Sequence, residues 1–279
     1  MAWITRALLF TLASSLVVLA PSRAEAQGSD LTGRLAPDMT FADGMNGVAA
    51  GTTLSAFRGK VVWVKFILRD CPRCRKALPL AQQLHDRWGG SGLVVLTVVR
   101  QFGPREMQSF MSQNGYDFRL GTDRDGSLAS RYGVRTMPTD YVIGVDGRVK
   151  ASNGAPEAVL LTELGRYRLA RLGTVPESMQ GVRDAVWRWD YGAALRTTEA
   201  ALAGGTADAE VRALATRVVT QAREEFDARL ALAAKRARQG RRDVAGSIHD
   251  RVVENFEGTS LAPAAIEART RFLAASRGR

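Results

Sequence analysis

Cysteine and histidine are almost absent from this sequence, with two of each in 279 residues. A structural zinc site needs four ligands, usually Cys and His, and the whole stock is Cys71, Cys74, His85 and His249. With Cys74 on a helix, His85 lies about 16 Å further along it at 1.5 Å per residue. The scarcity argues against metal, leaving only a two-thiolate Cu(I) site as an alternative of that class. It also argues against a structural staple. A disulfide stabilises mainly by closing a long loop, and Cys71 and Cys74 enclose just two residues. What remains is a redox couple, with no cofactor other than a Cys71–Cys74 disulfide.

Long apolar runs are scarce too. Ala7 to Ala20, ALLFTLASSLVVLA, is short against the roughly 20 residues that span a bilayer. It follows Arg6 and precedes the small-x-small triplet Ala24-Glu25-Ala26. That order reads as an export signal over residues 1–26, with a mature start at Gln27. A periplasmic or secreted protein is expected, without a stable membrane span after cleavage. Acids are the minority charge: 28 against 39 Lys and Arg, a net +11. The excess favours acidic partners and says nothing about fold. It is spread over both halves, with no basic tail. The densest cluster, Arg236 to Arg242, lacks interleaved aromatics and suits a solvated helix end, so no nucleic acid is expected.

Two halves differ in grammar. Residues 27–155 alternate short apolar runs with helical stretches, which implies helices packed on a sheet. Lys60 to Leu68 (KVVWVKFIL) and Leu93 to Val99 read as buried strands. Pro72 to Trp88 reads as a helix with proline in its first turn and a kink at Pro79. Helices are expected at Gly103 to Asn114 and Gly126 to Tyr132. Thr139 to Val145 and Arg148 to Ser152 read as a hairpin around Asp146-Gly147, with a type I′ turn. Residues 156–175 read as a bridging helix and linker. Residues 176–279 read as an all-α helical-hairpin domain: Glu177 to Trp187, Tyr191 to Ala203, Asp208 to Arg238, Asp243 to Phe256 and Leu261 to Ser276. Small residues (Ala193, Ala194, Ala264, Ala265) give that domain a likeness to tetratricopeptide repeats, against the alternative of a plain bundle.

The chemistry centres on FILRDCPRCRKALPL, Phe66 to Leu80. Residues three apart on a helix lie about 5–6 Å apart at Cβ, close to disulfide reach. A helix N-terminus supplies positive potential and free N–H groups that favour thiolate. Cys71, at the strand-to-helix junction, is assigned as nucleophile. Cys74, one turn deeper, is the resolving thiol.

A Cys-x-x-Cys at such a junction is a thioredoxin-like signal. Four stretches, Leu35 to Asp38 with Leu54 to Gly59, Lys60 to Pro79, Leu120 to Val134, and Thr136 to Gly147, together resemble the extracytoplasmic thioredoxin-like oxidoreductases of the TlpA/ResA kind. These lie within the alkyl-hydroperoxide-reductase/thiol-specific-antioxidant superfamily. The resemblance covers about residues 33–155. It implies a thioredoxin fold, an N-terminal hairpin over residues 35–59, and a cis Pro138 facing the dithiol. It also implies client binding at Met137 and Pro138, where an extended segment could pair as an added strand. Partners would be protein thiols or disulfides and an upstream thiol–disulfide carrier, with a further protein partner open for the helical half. The family includes reductases of cytochrome c maturation and disulfide donors, so either direction of electron flow is implied.

Three positions depart from the family. Lys65 stands where thioredoxins bury an acid, Asp70 where an aromatic usually precedes the first cysteine, and Ala77 where relatives often place a Glu. Lys65, Asp70 and Arg73 are the expected tuning residues. Arg69, Arg73 and Arg75 favour thiolate at Cys71, and Asp70 opposes it. A thiol peroxidase is a weaker reading, because Val64 and Leu68 occupy the motif's Pro and Thr/Ser positions. A copper carrier wants a three-residue gap and a distal His. A scaffold whose helical half binds a partner stays open as an alternative.

Overall fold

The computed structural model describes residues 28–100, 103–155, 157–205 and 207–277. The expected export signal lies outside them. Six strands form one sheet: β1 (Gly44–Met45), β2 (Val61–Ile67), β3 (Leu93–Arg100), β4 (Arg119–Asp123), β5 (Thr139–Ile143) and β6 (Val149–Ser152). Their order is β1-β4-β3-β2-β5-β6. β2, β3 and β4 run parallel, β5 pairs antiparallel with β2, and β6 pairs antiparallel with β5. This mixed sheet with flanking helices is the thioredoxin fold.

Seven consecutive buried residues make β2 the central strand, as its unbroken apolar run requires of a strand covered on both faces. Its alternation splits the core in two. Val62, Val64 and Phe66 pack with Tyr132 and Tyr141 on one face. Val61, Trp63 and Ile67 pack on the other against α1 (Pro72–Trp88), through Cys74, Leu78, Ala81, Leu84 and Trp88. Those five recur at three- and four-residue spacing, the period of one helix face. α1 continues through Pro79.

Two local expectations change. Residues 35–59 form only a short antiparallel pairing, in which the Phe41 N–H donates to Thr52, the Gly51 N–H to Phe41 and the Leu54 N–H to Met39, rather than two regular strands. A single bridge from Thr40 to Thr53 closes that loop, Leu54–Phe57 is a 3-10 turn, and Gly44–Met45 joins the sheet edge instead. At the β5–β6 connection only Gly147 has positive φ, at 75°. A type I′ turn needs positive φ at both central residues. Here the Gly144 N–H donates to the Arg148 carbonyl at 2.9 Å, so Val145, Asp146 and Gly147 form a three-residue loop with a left-handed glycine.

The remaining helices are α2 (Pro104–Asn114), α3 (Ser127–Arg131), α4 (Glu157–Leu172), α5 (Gln180–Trp187), α6 (Tyr191–Ala203), α7 (Ala209–Arg238), α8 (Arg242–Phe256) and α9 (Ala262–Arg277). α4 lays Leu160 and Leu164 on the α1 face of the sheet. Arg168, further along α4, is 2% exposed. Its guanidinium lies over Trp189 at 3.3 Å and donates to the Trp187 carbonyl. Burial pulls its pKa down to about 10. α5 to α9 pack in sequence around their own apolar core. Ala194 and Ala265 lie in that core, but the tightest approach is at Gly192, where a Cβ would sit 1.6 Å from the Asn255 carbonyl oxygen.

Polar contacts join the two parts. Asp86, buried near the end of α1, accepts from Lys235 at 2.6 Å and pairs with Arg236 at 2.7 Å. Lys235 also pairs with Asp117 at 2.6 Å, and the Ser91 hydroxyl donates to Glu225 at 2.5 Å.

Candidate active site

β2 ends at Ile67, and a short turn delivers the chain to Cys71, the N-cap of α1. A cap side chain normally accepts from an orphan backbone N–H through oxygen. Here sulfur does so: Cys71 Sγ accepts from the Cys74 N–H at 3.3 Å. Pro72 takes the first helical position, where its missing N–H leaves no bond unmade. Both cysteines are free thiols.

The cis bond between Met137 and Pro138 brings the loop before β5 against the dithiol. The Cys71 thiol donates to the Met137 carbonyl at 3.7 Å. Cys71, Cys74, Met137 and Pro138, widely spaced in sequence, thus meet at one end of the sheet. His85 lies at the other end of α1, beside Asp117 at 3.5 Å, away from the thiols.

The two sulfurs differ in environment. Cys71 is partly exposed and Cys74 is fully buried. Burial pushes the Cys71 thiol up. Hydrogen bonds from the Cys74 thiol and from the Cys74 and Arg73 backbone N–H groups outweigh it, aided by the Arg73 charge, and its pKa falls below the ordinary 9.0. Cys74 goes the other way. Burial, and its hydrogen bond to Cys71, push it up to about 12, although the Lys65 charge pulls downward. The outer sulfur is the one biased toward thiolate and the inner sulfur holds its proton.

The three departing positions now have surroundings. Asp70 is gripped by Arg69 in a fork, Nε to Oδ1 at 2.9 Å and Nη2 to Oδ2 at 3.0 Å. That pairing holds the Asp70 carboxyl below its usual range and offsets its opposition to thiolate. Arg73 is exposed and acts on Cys71, whereas Arg75 lies over Phe110 at 5.8 Å. Ala77 is half-buried on α1.

Lys65 is buried at 3% exposure and shares the odd-numbered face of β2 with Trp63, whose ring it overlies at 4.9 Å. Its ammonium meets Asp140 Oδ1 at 2.7 Å. Lys65 and Asp140 are register partners across β2 and β5. An acid therefore does meet the Lys65 position, from the neighbouring strand, two residues past Pro138. Sequence reasoning missed Asp140. The signal was a lone Lys in VVWVKFI, since a buried ammonium needs a counter-charge.

A thiol biased toward thiolate at a helix N-terminus, a more tightly protonated thiol one turn below and a cis-proline loop across from them make this a thioredoxin-type dithiol site. Residues 32–152 match the AhpC/TSA family. The thiol-disulfide oxidoreductase ResA of Bacillus thuringiensis subsp. konkukian is 27% identical over 96 residues, 34% of this chain and 56% of that protein. ResA of Geobacillus thermodenitrificans is 28% identical over 118 residues, 42% of this chain and 66% of that protein. The chain thus spans little more than half the length of the first of these relatives. Among solved structures, a putative thiol:disulfide interchange protein DsbE from Chlorobium tepidum aligns with 27% identity and a TM-score of 0.42. That alignment covers 50% of this chain and 97% of the other.

Proposed function

We propose that the protein is an extracytoplasmic thiol–disulfide oxidoreductase that exchanges its Cys71–Cys74 dithiol with protein substrates. The observation that supports this most is the division between the sulfurs: an accessible thiol biased to thiolate and a buried one that keeps its proton. In the reducing direction the Cys71 thiolate attacks one sulfur of a client disulfide. The client S–S bond breaks, a Cys71–client bond forms, and the other client sulfur leaves as thiolate. Cys74 then gives up its proton and attacks Cys71 Sγ. The mixed disulfide breaks, Cys71–Cys74 forms, and the client departs with two added electrons, its second sulfur also a thiolate. The Cys74 proton passes to solvent or to a client thiolate. A thiol carrier upstream resets the site by the same steps reversed.

Met137 and Pro138 would hold an extended client segment beside Cys71, with Lys65, Asp70 and Arg73 setting the potential. The export signal expected over residues 1–26 supports an exchange outside the cytoplasm, and the resemblance to periplasmic reductases supports cytochrome c maturation or related redox homeostasis as the process served. Cys74→Ser should trap clients from a periplasmic extract as adducts on Cys71 that a reducing agent releases. Absence of such adducts would count against the proposal. The direction follows from equilibration with glutathione: a potential well below about −200 mV marks a reductase and one near −120 mV an oxidant.

A further inference from the structure

A cleft of about 970 Å³ lies between the sheet domain and the helices that follow it. It is not the dithiol site. α1 contributes its last residues, His85 to Trp88, to the cleft. Those lie about 20–25 Å from Cys71 along the helix at 1.5 Å per residue. The long wall is α7, which lines the cleft from Glu225 to Arg238. That is more than three turns, about 20 Å. The shape is a trough long enough for an extended stretch of six or so residues at about 3.3 Å each.

Its charge is unbalanced. The three acids of the lining are already neutralised within the fold: Asp86 by Lys235 and Arg236, Asp117 by Lys235, and Glu225 by Arg229. Arg188, Arg238 and Arg251 also line the cleft and are exposed. Among the described residues these three form no ion pair. Leu161, Leu232 and Val244 put apolar surface between the cations.

We infer that this cleft docks an acidic, partly apolar segment of a partner polypeptide. A planar guanidinium matches a carboxylate with two parallel hydrogen bonds, and three unengaged ones along a trough call for spaced carboxylates rather than a single small anion. Single-stranded nucleic acid would need aromatic faces on which bases stack. Trp88 is 3% exposed and Arg168 covers a face of Trp189, so the cleft offers no free stacking platform. A second copy of this chain fits poorly, because a net charge of +11 makes copies repel. The inference does not rest on the thiol chemistry, and either can fail alone.

The test uses the full mature protein and a fluorescein-labelled peptide of about twelve residues, rich in Glu with interspersed Leu, long enough for the trough. Anisotropy should show binding that weakens as salt rises. The triple variant Arg188→Glu, Arg238→Glu, Arg251→Glu should lose roughly tenfold or more in affinity. A control triple, Arg34→Glu, Arg58→Glu, Arg183→Glu, removes the same charge from exposed positions elsewhere and should bind as wild type does. The Cys71 alkylation rate should be unchanged in both. Should the Glu triple lose helix content by circular dichroism, the Gln triple at the same three positions takes its place. Equal loss in test and control triples would overturn the inference by showing attraction to net charge alone. So would tighter binding, through the same three arginines, of a homothymidine oligonucleotide or of phosphatidylglycerol vesicles.

Discussion

Replacing Asp140 with Asn removes the counter-charge of a buried lysine. Lys65 is 3% exposed and its ammonium lies 2.7 Å from Asp140, itself 18% exposed. At that distance and an effective dielectric near 20, the attraction is about 6 kcal/mol. Desolvation of the two charges offsets much of it. Breaking a buried pair from one side costs about 3–5 kcal/mol, because the remaining charge is stranded. The Asn oxygen can still accept from Lys65, and the removed charge is the more exposed one. The lower end, about 3 kcal/mol, is therefore expected. Lys65→Met combined with Asp140→Leu replaces the pair with apolar groups and should recover all but about 1 kcal/mol of that loss. Hydrogen exchange of β2 and β5 amides in the reduced protein reads these values locally. A loss under about 1 kcal/mol for Asp140→Asn, or an apolar double variant as unstable as the single one, would refute the reasoning. The pair also bears on the potential. Without Asp140, the Lys65 charge acts unneutralised on the Cys74 face. The thiolate gains, the reduced form is favoured, and the couple becomes more oxidising. Lys65→Met should shift the potential the opposite way.

Alkylation of the reduced protein should rise with pH through a midpoint below 9.0, because the thiolate reacts and the Cys71 pKa is lowered. Cys71→Ser should abolish that phase, since burial alone holds the Cys74 thiol above its ordinary value. A midpoint at or above 9.0 would contradict the capping arrangement. Gly192→Ala places a methyl 1.6 Å from the Asn255 carbonyl. It should destabilise the helical part by about 1–3 kcal/mol or more through overpacking, visible as a lowered thermal midpoint with Cys71 alkylation unchanged.

Much of the dithiol site was legible because its signals are local. The apolar run of β2, Pro72 at the helix start and the cysteine spacing lie within 20 residues of each other. Met137 and Pro138 were reached through family resemblance, not through periodicity. What stayed hidden depends on contacts between distant segments. Asp140 meets Lys65 only because β5 pairs with β2 in one register. β4, RLGTD, carries Gly121, a poor strand residue. Glycine is needed there because the Phe41 ring lies 2.2 Å from where a Cβ would stand. The Asp86 pairs with Lys235 and Arg236 span about 150 residues of chain, and no helical spacing announces them.

Cys74 is fully enclosed, and that makes the site a single doorway. In the exchange proposed above, every electron pair entering or leaving would pass through a bond to Cys71, so donor and client could not be attached together. Turnover of that kind would alternate between them as a double displacement, with the two partners competing for one sulfur.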